Sequence, residues 1–167
     1  MDPSREREFT EFYDATWPRT VACTYALTGD LGEAQDLAQE AYSRAWPRWS
    51  SLCRYDDPGA WVRQVATRLA VSRWRRAGTA AKFLSRSRGP EPAAPPSEAT
   101  LDLVAALRQL PQVQRRAVVL HHFGELSIVE IARIEKCPEG TIKARLARGR
   151  TALAHLLTPQ DGERSHV

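Results

Sequence analysis

Apolar residues recur at helical spacing through most of the chain, and no stretch of any length alternates apolar and polar residues as a half-buried strand would. The cleanest run is Glu33–Trp46, where Ala34, Leu37, Ala38, Ala41, Tyr42 and Ala45 share one side and Pro47 supplies the stop. Before it, Glu8–Leu27 carries Phe9, Phe12, Tyr13, Val21 and Tyr25 in irregular helical spacing. Pro18 predicts a kink or a fresh start there, because its ring removes a backbone donor, and Gly29-Asp30 predicts a turn. After the clean run, Ser50–Gly59 reads as a loop closed by Asp56-Asp57-Pro58-Gly59. Ala60–Arg76 is helical again, with Trp61, Val62, Val65, Ala66, Leu69 and Ala70 as its apolar face and Trp61 expected in the core. Residues 77–97 break the pattern, since Pro90, Pro92, Pro95 and Pro96 fall within seven positions and cannot carry a helix through. Helical spacing resumes from Glu98 to about Leu157, with Leu110-Pro111 between its first two helices, and the tail from Thr158 is polar and expected to fray. The pattern predicts an all-α chain of two small helical domains, residues 8–76 and 98–157, joined by a flexible Pro-rich linker at 77–97 and free to move independently.

The most specific local pattern lies in the second domain. Ser127 followed by Glu130 is a capping box, and Ile128, Ile131 and Ala132 then fall on one face. Cys137-Pro138 ends this short helix, because the residue before proline is pushed out of helical angles. A second helix begins near Glu139. Its Ile142, Leu146, Gly149, Leu153, Leu156 and Leu157 share one side, while Lys143, Ala144, Ala147, Arg148 and Thr151 point the other way. A short helix, a tight turn and a basic second helix make a helix-turn-helix, whose second helix can lie in the DNA major groove. Two amphipathic helices with a turn also occur in domains that never meet DNA, and the turn carries Lys136 where such turns often place Gly.

Composition narrows the classes. The 167 residues carry a formal charge of +4 and are 43% hydrophobic, mildly basic and ordinary for a folded protein. No apolar run approaches the ~18 residues that span a bilayer, and the polar N-terminus is no secretory signal, so the chain is expected to act in the cytoplasm. Cys23, Cys53 and Cys137 lack metal or redox spacing, and the adjacent His121 and His122 diverge on a helix rather than forming a metal pair. No phosphate loop, Ser/His/Asp order or paired carboxylate marks an enzyme, and no cofactor or metal is expected.

Charge is unevenly spread. Residues 1–40 hold three Arg against nine acids, and residues 41–76 hold eight Arg against Asp56 and Asp57. Residues 101–167 hold ten Lys and Arg against seven acids. An acidic surface suits a basic protein partner and a basic one suits phosphate. The same runs could instead pair with each other inside a helical bundle.

Three segments in order carry a family resemblance. They are Asp30-Leu-Gly-Glu-Ala-Gln-Asp-Leu-Ala-Gln-Glu-Ala-Tyr-Ser-Arg-Ala-Trp46, then Pro58-Gly-Ala-Trp-Val-Arg-Gln-Val-Ala-Thr-Arg-Leu-Ala-Val-Ser-Arg-Trp-Arg-Arg76, and, beyond the proline-rich gap, Leu110-Pro-Gln-Val-Gln-Arg-Arg-Ala-Val-Val-Leu120 with the helix-turn-helix. The chain resembles the extracytoplasmic-function class of bacterial RNA polymerase sigma factors. It is most similar to the sigma-E-like short forms of actinobacteria that carry Trp-Pro-Arg-Trp, here residues 46–49. The resemblance implies a dissociable polymerase subunit that directs core RNA polymerase to promoters and helps open them. The competing readings are a helix-turn-helix regulator acting from outside the polymerase, which would have no need of the acidic first domain, and a helical adaptor that binds no DNA.

The resemblance also implies a division of labour. Asp36, Gln39 and Glu40, extended by Arg44, match the helix that meets a coiled-coil on the clamp of the largest polymerase subunit, with the polymerase flap as the second docking point. At i, i+3 and i+4 these residues share a face. The loop Ser51–Gly59 and the helix Ala60–Arg76 match the reader of the −10 element. There a base is turned out of separated strands, and stacking surfaces and phosphate clamps are both needed. The residues implied are Arg63, Arg68, Arg73, Trp74, Arg75 and Arg76, with Arg68 standing where the family often has Asn. The −35 element falls to Thr141, Lys143, Ala144, Ala147 and Arg148. Ala144 and Ala147 can touch a thymine methyl but cannot hydrogen-bond a base edge, so shape and backbone contacts gain weight. The family leaves room for an anti-sigma partner, whose interface no residue here marks.

Overall fold

The computed structural model describes residues 2–77 and 98–159, with the side chain of Thr100 outside the description. All regular structure among the described residues is helical: α1 Pro3–Thr28, α2 Leu31–Ala45, a 3₁₀ turn Trp46–Arg48, α3 Trp49–Leu52, α4 Pro58–Ala77, α5 Glu98–Gln109, α6 Gln112–His122, α7 Ile128–Glu135 and α8 Glu139–Leu157. The segment expected as a linker lies outside the described residues apart from Ala77, as does the tail beyond Pro159.

Helix α1 starts earlier than its apolar pattern predicts, because the Asp2 carboxylate accepts from the Ser4 N–H at 3.0 Å and caps the first turn. Pro18 neither starts nor ends a helix; α1 runs through it. A proline in a helix interior costs ~3 kcal/mol by lost hydrogen bonding and ring clash, and packing on both sides of it overrides that cost. Phe9 and Phe12 lie against Trp49 at centroid distances of 5.3 and 4.7 Å, and Tyr13 meets Tyr42 at 4.7 Å. Trp17, immediately before the proline, is buried, and so are Thr20–Thr24 beyond it. The Tyr42 hydroxyl lies 2.7 Å from Thr16 Oγ1 and 3.1 Å from Thr20 Oγ1, so the buried phenol has polar partners on α1.

Gly29 ends α1 at φ 69°, a left-handed angle that costs glycine nothing. The Asp30 carboxylate then caps α2 through the Glu33 N–H at 3.0 Å. The expected apolar face of α2 is buried at all six positions. Pro47 does stop α2, but the chain turns into the 3₁₀ segment and α3 rather than opening directly into a loop. Helix α4 begins at Pro58, where a fixed φ and a missing donor suit the first helical turn.

The two halves pack against each other among the described residues. Leu107 and Leu110 join one hydrophobic cluster with α1, α2 and α4, and α5 and α6 both pack on α1. Within the second half, α8 crosses α6 at Gly149, where a Cβ would sit 2.6 Å from Val118 Cγ2. We predict that Gly149→Ala destabilises the protein by about 1 kcal/mol. Overpacking costs ~1–3 kcal/mol, while better helix propensity returns ~1 kcal/mol. In a Val118→Ala background the same change becomes neutral or stabilising. Chemical denaturation of the four proteins of this cycle checks it, and a Gly149→Ala protein at least as stable as the parent would exclude the close crossing.

Candidate nucleic-acid interface

Three polar surfaces project from this core. The first is the outer side of α2. Because Ala34, Leu37, Ala38, Ala41 and Ala45 face inward, Gln39, Glu40 and Arg44 stand exposed and Asp36 half-buried along the opposite side. Arg44 reaches Glu40 at 2.6 Å, an i, i+4 pair with both side chains well exposed, and such pairs contribute little to stability. The acidic face is thus partly self-neutralised at its C-terminal end.

The second surface belongs to α4. Asp57 fixes its start, accepting from the Ala60 N–H at 3.0 Å and from Arg63 Nη2 at 3.2 Å. Partial burial pulls the Asp57 carboxyl upward, but the Ala60 N–H and the Arg63 guanidinium outweigh it and hold the group below the usual carboxylate range. Arg63, expected among the phosphate clamps, is therefore a correction: it is 7% exposed and faces the core beside Asp57. The sequence signal was available in Asp57, six residues earlier, whose role as capping residue and partner the turn pattern does not distinguish. Burial also pushes the Cys23 thiol up to about 12, against the pull of Arg63 and Arg19, which leaves it an inert core group.

Farther along α4, Arg68 is exposed and lies 3.6 Å from Glu130, and Arg73 lies 3.8 Å from Glu33 on α2. This second pair realises, at one point, the expectation that acidic and basic runs meet inside the bundle. Burial raises the Glu33 carboxyl above its usual range, with Arg73 working against it. Trp74 is half-buried beneath Arg116, whose guanidinium carbon stands 4.3 Å from the ring centroid. Arg75 and Arg76 are exposed in the last turn, with Arg76 Nε donating to the Ser72 carbonyl at 3.4 Å. Trp61 is half-buried against the core, as its position predicts. Tyr55, in the preceding loop, is 52% exposed; the sequence reading passed over it, although an exposed aromatic in a loop is a stacking candidate.

The third surface is the helix-turn-helix. Ser127 Oγ accepts from the Glu130 N–H at 3.1 Å and Glu130 accepts from the Ser127 N–H at 2.8 Å, so the capping box is complete. That backbone hydrogen bond holds the Glu130 carboxyl below its usual range. Lys136 occupies the turn at φ 52°, ψ 49°, the left-handed conformation that the missing glycine would take most easily. On α8, Ile142, Leu146 and Gly149 are buried, while Lys143, Ala147, Arg148 and Thr151 are exposed and Thr141 and Ala144 half-exposed. Leu156 and Leu157, expected on the inner side, are exposed, because no described helix covers the last turn. Arg145 turns away from the outer face, 3.9 Å from Glu135 and 3.8 Å from Cys137 Sγ. Arg150 Nε donates to His122 Nε2 at 2.9 Å. Burial, Arg150 and His121 all lower the pKa of that imidazole, which keeps it in the accepting neutral form.

Comparison with known proteins decides the family. Residues 12–79 match the description Sigma-70 region 2, and residues 100–153 match Sigma-70, region 4. The chain is 30% identical over 161 residues to the ECF RNA polymerase sigma factor SigW of Bacillus subtilis, covering 87% of this chain and 86% of that one. The chain belongs to the extracytoplasmic-function RNA polymerase sigma factors. A second relative is the ECF sigma factor SigE of Mycolicibacterium smegmatis, 29% identical over 191 aligned positions that cover 98% of this chain and 73% of the relative. Among solved structures, the sigma factor RpoE of Bartonella quintana, crystallised with the anti-sigma factor NepR, shares the fold with a TM-score of 0.52 at 24% identity, covering 92% of this chain and 99% of that one. As a sigma factor, the protein binds core RNA polymerase and directs it to specific promoters for initiation. Sigma factors are non-catalytic initiation factors. Among the described residues no helix is long and apolar enough to cross a membrane.

The left-handed Lys136 generates a prediction for the recognition unit. A non-glycine residue there costs ~1–2 kcal/mol, against ~0.5–1 kcal/mol of extra unfolded-state entropy for glycine. Lys136→Gly is expected to stabilise the protein by about 0.5–1 kcal/mol. Thermal unfolding measures it, and a lower midpoint would count against the strained turn.

Proposed function

We propose that the three surfaces divide the work of initiation. Residues 8–76 dock on the polymerase clamp through Asp36, Gln39, Glu40 and Arg44 and take the −10 element on α4 through Arg68, Arg73, Trp74, Arg75 and Arg76. Residues 98–157 approach the flap and read the −35 element with Thr141, Lys143, Ala144, Ala147 and Arg148. Arg63 supports this set from within rather than touching phosphate. The observation that carries the reading is α8: its inner side is locked on α6 by Ile142, Leu146 and Gly149, so Lys143, Ala147 and Arg148 are left as a ready outer face. In this reading the protein works in the cytoplasm, catalyses no reaction itself, and takes an anti-sigma factor as a partner, the last on the fold it shares with the NepR-bound sigma factor.

Promoter opening follows from the chemistry of α4. Guanidinium groups near Trp74 offer charge to a displaced strand while the indole offers a stacking face worth ~1–3 kcal/mol per base. Run-off transcription with purified core polymerase on fragments of the source genome tests the reading as a whole and yields the promoter.

Two predictions separate the surfaces. Glu40→Lys places a cation beside Arg44 on the polymerase face and is expected to weaken association with core by at least tenfold, about 1.4 kcal/mol. Unchanged co-purification of the folded variant with core would reject the assignment. On α8, Arg148→Ala is expected to lower transcription from promoters with a −35 element by ~1–3 kcal/mol and to relax preference at one position, as loss of a base-edge contact does. Lys143→Ala should weaken all sequences alike and flatten the salt dependence by about one unit of slope. A promoter-variant library transcribed at two salt concentrations distinguishes them, and an Arg148 variant with full activity and unchanged preference would remove α8 from the −35 element.

A further inference from the structure

The space between α4 and α7 gathers more positive charge than the chain neutralises. Two adjoining clefts lie there, of about 520 and 580 Å³, and Arg75 of α4 and Arg133 of α7 line both. Arg68 joins them in the first cleft, and Arg116 and Lys136 in the second. Two of these cations are paired: Arg68 lies 3.6 Å from Glu130, and Arg116 lies 2.6 Å from Glu135. Arg75, Arg133 and Lys136 have no side-chain hydrogen bond or ion pair among the described residues. Three uncompensated cations, one from α4 and two from α7 and its turn, thus border one space. The lining that both clefts share is otherwise apolar, Val71 and Ile134, and Trp74 borders the second. Each volume falls within the ~300–1,000 Å³ of small-molecule sites.

We propose that this cleft binds a small oligophosphate, free or carried by a nucleoside, with the phosphate chain held by Arg75, Arg133 and Lys136. Like charges gathered in a cleft repel one another and raise the local concentration of anions. A guanidinium presents paired N–H donors that match phosphate oxygens, and the ammonium adds a point charge. The acids beside the cleft are already committed, Glu130 to the capping box and Arg68, and Glu135 to Arg116 and Arg145. A carboxylate or a single phosphate leaves part of the surplus charge unmatched, whereas a chain of phosphates balances it. The apolar lining and the Trp74 ring give a nucleoside base a surface to rest on. The site goes beyond the promoter reading above. Arg75 belongs to the set assigned to the −10 element, but Arg133 and Lys136 stand outside both promoter sets, so DNA reading leaves their charge unexplained.

The test is isothermal titration calorimetry on the full chain, without DNA or polymerase, with sodium tripolyphosphate, ATP and orthophosphate as probes. Tripolyphosphate and ATP are expected to bind at one site per chain with sub-millimolar dissociation constants that weaken as salt is added. Orthophosphate should bind at least tenfold more weakly. Arg75→Ala and Arg133→Ala should each weaken tripolyphosphate at least tenfold, the scale of a lost charge-assisted contact. Arg7→Ala removes the same charge from α1, outside the cleft, and should change the affinity by less than about twofold. All three arginines are exposed, and a thermal unfolding midpoint checks each fold. ATP binding tighter than tripolyphosphate assigns a nucleotide with its base on the apolar lining; equal binding assigns the inorganic chain. Failure of both probes to bind overturns the proposal. So does an Arg7→Ala loss equal to that of Arg133→Ala, which reduces the effect to net charge. A loss in Arg75→Ala with none in Arg133→Ala also overturns it, because the phosphate then sits on α4 alone. Run-off transcription with core keeps this site apart from the promoter reading. If Arg75→Ala transcribes normally while tripolyphosphate binding still depends on Arg75 and Arg133, Arg75 leaves the −10 set and the cleft stands.

Discussion

Helix α1 is buried from two sides, and the arrangement of everything else follows from that. One side takes α2 and α4, with Tyr42 held by the Thr16 and Thr20 hydroxyls and Trp49 wedged among Phe9 and Phe12. Another side takes α5 and α6, where Leu107 and Leu110 complete the shared cluster. A helix covered this way cannot show a single apolar stripe, because each flank needs its own. Its threonines serve where a core of aliphatic residues alone would leave the Tyr42 phenol without partners, and burying an unpaired hydroxyl costs ~1–3 kcal/mol on protein scales.

The recognition unit depends on backbone geometry as much as on side chains. Ser127 and Glu130 start α7 at a fixed residue, Lys136 ends it in a left-handed turn, and Gly149 lets α8 approach α6 closely. Together these set the rotation of α8, which decides that Arg148 faces out and Arg145 faces Glu135. The two arginines lie three residues apart and carry the same charge, yet only one is presented to a ligand.

Charge in this molecule has two uses that compete. A surface basic enough to attract phosphate is also a surface that acidic groups of the same chain can neutralise. Glu33 takes Arg73, Asp57 takes Arg63, and Glu130 takes Arg68. The Asp57 pair is held in place at the foot of α4 and fixes how the helix begins, so it is structural. The Arg68 pair is between exposed groups, worth little by itself, and therefore exchangeable for a phosphate.

The sequence by itself determined the helical class, the inward faces of α2 and α4, the capping box, the start of α8 and the outward set Lys143, Ala147 and Arg148, because helix periodicity and capping are local properties read within one or two turns. It also carried the family, through three segments in order. Only the tertiary structure decided that α1 runs through Pro18, that Arg63 is inside, that Arg145 points to Glu135, and that Leu156 and Leu157 are left exposed, since each depends on which distant helix supplies a neighbour. The contact of the two halves belongs to the same class. The proline-rich composition of residues 77–97 says that no helix continues through them, but whether α5 and α6 then return to α1 is set by surfaces matched across more than eighty residues of chain, as between Tyr25 and Arg108, and no local pattern encodes that pairing.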